Sequence, residues 1–481
     1  MGSDPNAEIP EWMGIDFREL QCIMYEFNCA VVLSLIYCCL PHMPGYFAPL
    51  ALGLSMGGAV ENGAEFGGGM ANPIFVMARY LRGELRGVAA FRYAALLVVG
   101  TIWGATLAGM IYGFKVNAYP VKADGVSEVS TFFAELLYSF GFTLVYLVVT
   151  KRREVSGAKY AGAAVGAFYT AATIVPAVGV ANPALACLAL VNGLNGASGF
   201  VDHLETSWMF FAGPVAGALL ASKAVDVLTS ERPKVPMLFA EFTGAFFLGL
   251  TAAMNAPFAG GLGALGIAAV LVAMMYVSSP VAGPTALNPA GVAVVLLRSV
   301  DSALIPTWAP VDAALLVATE LAGTVAGAGV AAALLQGAAK VATPMVADDT
   351  AWIDSVLAES LGASLPLWFL LDNMVGPNDP RKNDTTMGYA AMVGSAAFTG
   401  MLLFHGATGA ALNPALGLMS LVSGRHMKDI WVYFVGPLLG GLTALNNLTL
   451  FRHDELEAEE EAAKNGGADE KLEPKTYAAL A

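Results

Sequence analysis

Four Asn-Pro pairs carry the residues best suited to chemistry in this chain: Asn72-Pro73-Ile74, Asn182-Pro183-Ala184, Asn288-Pro289-Ala290 and Asn413-Pro414-Ala415. Asparagine is a strong helix N-cap, and proline suits the first helical turn because it has no N–H to leave unpaired. Each pair therefore starts a helix. Each also lies inside an apolar stretch, where a membrane helix would have no need of a start. A carboxamide has one acceptor oxygen and two donor hydrogens. With the oxygen spent on its own helix, each asparagine keeps its NH₂ for a passing molecule. A helix N-terminus adds the equivalent of roughly +0.5 charge. Two such ends facing each other welcome a lone pair on a neutral solute and raise a barrier to cations.

Enzyme readings are poor. The chain has no nucleophile–base pair, zinc spacing or phosphate loop, and its five histidines do not cluster. No cofactor or metal is expected. No basic, aromatic-interleaved groove points to nucleic acid. The five cysteines, Cys22, Cys29, Cys38, Cys39 and Cys187, mostly fall in apolar segments and read as packing residues. No cleavable signal is visible in the polar, acidic residues 1–16.

The elements that position the asparagines follow from hydropathy. The 481 residues are 57% hydrophobic and 13% charged, against roughly 25% charged in a soluble domain. Apolar runs near ~20 residues, the length of a bilayer crossing, recur throughout. They predict twelve spans, at 17–40, 46–64, 90–113, 130–150, 158–178, 206–225, 236–254, 259–280, 310–335, 351–372, 386–406 and 429–451. Between the second and third span of each group of three lies a shorter apolar segment, and each opens on one Asn-Pro pair. The asparagines are 110, 106 and 125 residues apart, which makes a fourfold internal repeat.

Each repeat also carries one acid in its first span: Glu26, Glu135, Glu241 and Glu359. A carboxylate at membrane depth must face the protein interior and find partners. Non-helical backbone at that depth needs acceptors for its N–H groups. One glutamate per re-entrant loop supplies them, so these acids read as structural clamps rather than proton relays. The net charge of −14 is not evenly spread: the tail, 452–481, is acidic and expected to be disordered.

Taken together, "LFAEFTGAFFLGL", "TGAALNPALG" and "VYFVGPLLGGLTAL" resemble the aquaporin (major intrinsic protein) family, and the resemblance covers nearly the whole chain. It implies an all-α polytopic membrane protein of two tandem aquaporin-like units, at 17–228 and 229–451. These hold 12 transmembrane helices and 4 re-entrant half-helices. Inverted repeats place the site near the bilayer midplane, at helix N-termini. Asn72 and Asn182 would line one pore, Asn288 and Asn413 the other.

The family's selectivity filter has an arginine after the second Asn-Pro-Ala and a histidine twelve residues before that asparagine. Here those positions hold Leu185 and Thr170 in unit one, and Leu416 and Met401 in unit two, with Ala410 beside the latter. The filter resembles the divergent Asn-Pro-Ala-Leu branch. Unit one drifts further, with Ile74 for alanine and Met70 where a histidine is usual. Glu61 and Glu65 fall near its presumed inner mouth and His405 near the outer loop of unit two. The first two read as a solvated vestibule and the third as a plain loop residue.

The implied function is a passive channel for water or small uncharged solutes such as glycerol. The alternatives are a non-conducting structural or complex-associated protein that keeps the fold, and a coupled transporter. With both termini cytoplasmic, the inner segments hold fourteen Lys and Arg and the outer ones only Lys115, Lys122, Lys340, Arg425 and Lys428, as the positive-inside rule asks. Family members pack four pores around a fourfold axis, so two fused units imply a homodimer in the lipid bilayer.

Overall fold

A computed structural model describes residues 17–464 except 44, 46, 67–68, 113–119, 157–159, 176–177, 190–204, 206, 233, 256–260, 302–307 and 376–385. Segment 1–16, the end of the tail from 465 onward, and Lys115, Lys159, Arg381 and Lys382 lie outside the described residues. The fold is all-α. Unit one runs α1 (Phe17–Cys39), α2 (Phe47–Gly63), α3 (Pro73–Leu81), α4 (Gly87–Tyr112), α5 (Glu128–Ser156), α6 (Ala161–Ile174), α7 (Pro183–Ala186) and α8 (Met209–Leu228). Unit two runs α9 (Lys234–Met254), α10 (Gly261–Ala282), α11 (Pro289–Asp301), α12 (Pro310–Leu334), α13 (Trp352–Asp372), α14 (Thr386–Thr408), α15 (Pro414–Gly417), α16 (Met419–Ser423) and α17 (Val432–Phe451).

Ten helices among the described residues are long and apolar enough to cross a membrane. The other two of the twelve expected spans form α2, with 17 residues, and α6, with 14. These two are shorter than ~20 residues. They pack backbone to backbone: a Cβ on Gly57 would meet the Gly162 carbonyl at 2.7 Å, and one on Gly166 would meet that of Gly53 at 2.5 Å. Only glycine permits that approach, the means by which helices associate where lipid offers no hydrophobic drive.

In every repeat the third span crosses the first just past its glutamate. A Cβ on Gly100, Gly217, Gly323 or Gly440 would come within 2.3–2.7 Å of the carbonyl of Phe27, Leu136, Phe242 or Ser360. The clamp acids are thereby fixed against rigid neighbours.

The two units meet through α5 and α6 of the first and α9 and α10 of the second. Tyr138 and Thr251 share a hydroxyl hydrogen bond of 2.8 Å, and Phe168 packs edge-on against Phe247 at 5.3 Å between centroids. Arg152 donates to the Tyr276 carbonyl at 2.9 Å and lies over the Tyr276 ring. Arg298 is likewise buried and donates to the Leu371 carbonyl at 3.3 Å. Two of the basic residues counted toward membrane orientation thus also tie helix ends together.

The tail departs from expectation. Residues His453–Lys464 form a further helix, α18, where disorder was expected. Glu and Ala are strong helix formers. Asp454 and Glu455 stand in the first turn, where acids complement the helix dipole. Arg452 then joins Asp372 at 2.9 Å to Glu455 at 2.9 Å, pinning the start of α18 to α13.

Candidate functional site

All four asparagines cap the helices that follow them. Their side-chain oxygens accept from Ile74 N at 3.1 Å, Ala184 N at 3.0 Å, Ala290 N at 3.0 Å and Ala415 N at 2.9 Å. The amide nitrogens do something the sequence did not reveal. Asn288 Nδ2 donates to the Leu412 carbonyl at 3.0 Å, and Asn413 Nδ2 returns the bond to the Leu287 carbonyl at 2.9 Å. In unit one Asn72 Nδ2 donates to the Ala181 carbonyl at 3.0 Å. The NH₂ groups are therefore not aimed wholly into open space. In these three asparagines one amide hydrogen stitches the helix end to the facing loop, and a second donor hydrogen remains on each.

This stitching needs an unusual backbone. Ala71 (φ 51°), Ala181 (φ 46°), Leu287 (φ 51°) and Leu412 (φ 54°), the residues just before the four asparagines, all adopt the left-handed conformation. For non-glycine residues that costs roughly 1–2 kcal/mol each. The clamp glutamates hold it in place. Glu26 accepts from Met70 N at 2.8 Å and Ala71 N at 2.6 Å. Glu135 accepts from the amides of Gly179 at 2.6 Å, Val180 at 3.0 Å and Ala181 at 3.0 Å. Glu359 accepts from Ala411 N at 3.0 Å, Leu412 N at 2.7 Å and the Thr408 hydroxyl at 2.5 Å. Glu241 differs: its bond is to the Thr285 hydroxyl at 2.9 Å, and Thr285 Oγ1 in turn accepts from Leu287 N at 3.2 Å.

A stability prediction follows for Glu359→Ala. It leaves three buried donors without their acceptor, at about 1–3 kcal/mol each. Net stabilities are only about 5–15 kcal/mol. Thermal unfolding in detergent should show a midpoint several degrees lower, or no folded protein. An unchanged midpoint would mean that the carboxylate does not hold the loop.

The expected filter residues meet different fates in the two units. In unit two, Met401 and Leu416 line one small cavity of ≈ 30 Å³ together with Asn288, Asn413, Leu412 and Val393. Ala410 is buried in the clamp turn with its amide on Thr408 Oγ1 at 3.1 Å. In unit one, Leu185 packs among Cys38, Ala108, Val180 and Leu188. Thr170 turns its hydroxyl to the Gly166 carbonyl at 3.0 Å and lies against Gly53 on α2. The two therefore have different neighbours.

Glu61 is not a free vestibule acid. It accepts from Arg153 at 2.8 Å, Gly162 N at 2.8 Å and Tyr160 N at 3.0 Å, and so caps the start of α6. Glu65 sits in a short exposed turn, Ala64–Phe66. His405 is in the last turn of α14 rather than a loop, with Nδ1 3.0 Å from the Leu402 carbonyl. One buried acid went unnoticed in the sequence: Glu320, in "VATELAGTVAG" on α12, is fully enclosed. An ionisable residue at the centre of an apolar run was the available signal.

Paired, stitched helix N-termini beside a cavity at the meeting point of two half-helices suit a narrow conduit. The family model described as "Major intrinsic protein" matches residues 27–224 and again 237–446. Aquaporin-2 of Ovis aries is 30% identical over 142 residues, covering 28% of this chain and 50% of that protein. Aquaporin-1 of Gibberella zeae is 28% identical over 153 residues, 31% of this chain and 45% of its own. Aquaporin-1 of Rhizophagus irregularis is 26% identical over 190 residues, 37% of this chain and 64% of its own. The chain thus spans about half the length of the curated relatives it matches. The solved aquaglyceroporin from Plasmodium falciparum aligns at TM-score 0.39 and 19% identity, covering 47% of this chain and 99% of its own. The two segments matched by the family model take in most of the sequence, one per unit, and the chain belongs to the major intrinsic protein family, a family of membrane channels and not of enzymes.

Proposed function

We propose that the chain is a passive channel for water and small uncharged, glycerol-like solutes, which cross beside the paired Asn-Pro helix starts of each unit. The observation that carries this reading is the reciprocal Asn288–Leu412 and Asn413–Leu287 stitch at the wall of the unit-two cavity. A purely structural descendant needs helix caps and stitches, whereas here both asparagines also line the cavity. The N-termini set a positive potential there, so ions are excluded while neutral acceptors pass. The test is to reconstitute the whole chain and impose a glycerol gradient while recording membrane conductance. Glycerol should equilibrate faster than in empty liposomes with no added ionic current. Ion current without glycerol flux would overturn the reading.

Both termini are assigned to the cytoplasmic side, on the distribution of Lys and Arg. The working assembly is a homodimer with four pores. Within one chain, α5 and α6 of unit one pack on α9 and α10 of unit two. The corresponding faces, α1/α2 and α13/α14, stay outward, with Leu54 74% and Leu403 69% exposed. A second copy related by a twofold axis sets α1/α2 on α13/α14 twice and closes the ring. Native mass spectrometry should find two chains as the main species; a stable single chain, or four, would contradict it.

A further inference from the structure

Glu320 has no place in the clamp scheme. Aligning the four repeats on the glycines that meet the first-span carbonyls, Gly100, Gly217, Gly323 and Gly440, puts Glu320 where the other repeats hold Leu97, Pro214 and Pro437. Those three are core residues. Glu320 is 0% exposed, and neither of its carboxyl oxygens has a hydrogen-bond donor among the described residues. The second oxygen of Glu241, also 0% exposed, is in the same state.

Gly323, one turn after Glu320 on α12, meets the carbonyl of Phe242, the residue after Glu241 on α9. The packing of these helices thus sets the two carboxyl groups beside each other, with the Asn288 backbone amide next to Glu320. That amide's own bond runs to the Thr285 carbonyl at 3.3 Å. Among the described residues only the Thr285 hydroxyl bonds to Glu241, at 2.9 Å. Ser278 of α10 lies nearby with its hydroxyl unpaired, and the Tyr389 phenol of α14 is the other titratable group nearby. No cationic side chain among the described residues neutralises the pair. Two carboxylates side by side out of water do not both ionise, and a hydrogen bond between them requires a hydrogen.

We propose that Glu320 is a positioning residue for the unit-two pore: it stays protonated and donates its carboxyl O–H to Glu241. The bond fixes the rotamer of Glu241, whose other oxygen then holds Thr285, and through it the amide of Leu287. Leu287 in turn supplies the carbonyl that Asn413 is stitched to. Glu241 alone among the clamps uses a hydroxyl relay instead of direct amide bonds, so it alone needs a second support.

The flux consequence rests on the channel reading, whereas the protonation state does not, so two measurements separate them. Infrared spectra of the whole chain at neutral pH should contain a neutral-carboxyl C=O band that disappears in Glu320→Gln. Absence of that band, as when a bound cation neutralises two carboxylates, would overturn the proposal whether or not the protein conducts. Permeability measured with unit one disabled by Asn182→Asp forms the second arm. Glu320→Gln, which keeps a donor, should retain most of the flux, while Glu320→Leu should lose it at least fivefold. Equal flux in the two variants would overturn the positioning role. No flux in any of them, the infrared band being present, would instead strike at the channel reading.

Discussion

Replacing Asn413 by Asp should cut solute flux through unit two at least tenfold. The capping bond to Ala415 N at 2.9 Å survives, because a carboxylate oxygen accepts as the amide oxygen did. The bond to the Leu287 carbonyl does not, since an ionised carboxylate has no hydrogen to donate. Two oxygens would then face each other at the cavity wall, and a fixed negative charge would replace the neutral donor. An unmade buried hydrogen bond costs about 1–3 kcal/mol, and 1.4 kcal/mol is a factor of ten. The protein should still fold, because the clamp at Glu359 is untouched. Swelling rates of Asn413→Asp, Asn182→Asp and the double variant separate the two pores without any blocker. If Asn413→Asp loses nothing that the double variant loses, Asn413 does not belong to a conducting pore.

Leu416→Arg should lower the glycerol-to-water permeability ratio of unit two by one to two decades. Met401 and Leu416 line the same cavity as Asn288 and Asn413, so a solute leaving the asparagines meets an apolar wall. Water loses hydrogen bonds there, and a solute with a carbon face loses fewer. An unpaired polar contact costs about 1–3 kcal/mol, which sets the expected size of the shift. An arginine restores donors that water can use and narrows the passage for anything larger. The ratio is measured in the Asn182→Asp background by light scattering with glycerol and with an impermeant osmolyte. An unchanged ratio, or a wild type that passes water alone, would contradict the apolar-filter reading.

The pattern of three spans and one Asn-Pro start, four times over, was readable because capping chemistry is local. Asn oxygen to the amide two residues on needs no tertiary knowledge, and all four caps appear as expected. The clamp role of the four glutamates followed from a demand that any re-entrant loop makes. What depended on distant backbone was hidden. The stitch from Asn288 to Leu412 crosses 124 residues, and nothing in either segment announces it. The close contact of α2 and α6 through Gly53, Gly57, Gly162 and Gly166 likewise emerges only when two helices meet. That contact gives Thr170 a helix neighbour the filter comparison did not anticipate. Glu320 was visible as a residue but not as a partner of Glu241, because 79 residues separate them. The helix of the tail was legible and was outweighed by its charge.

Osmotic swelling of proteoliposomes carrying the wild-type chain against those carrying Asn182→Asp/Asn413→Asp, at equal protein, tests the central claim most directly. The wild type should relax a glycerol gradient faster than empty liposomes, and the double variant should match empty liposomes. A wild type no faster than empty liposomes, or a double variant as fast as wild type, would contradict passage beside the paired asparagines.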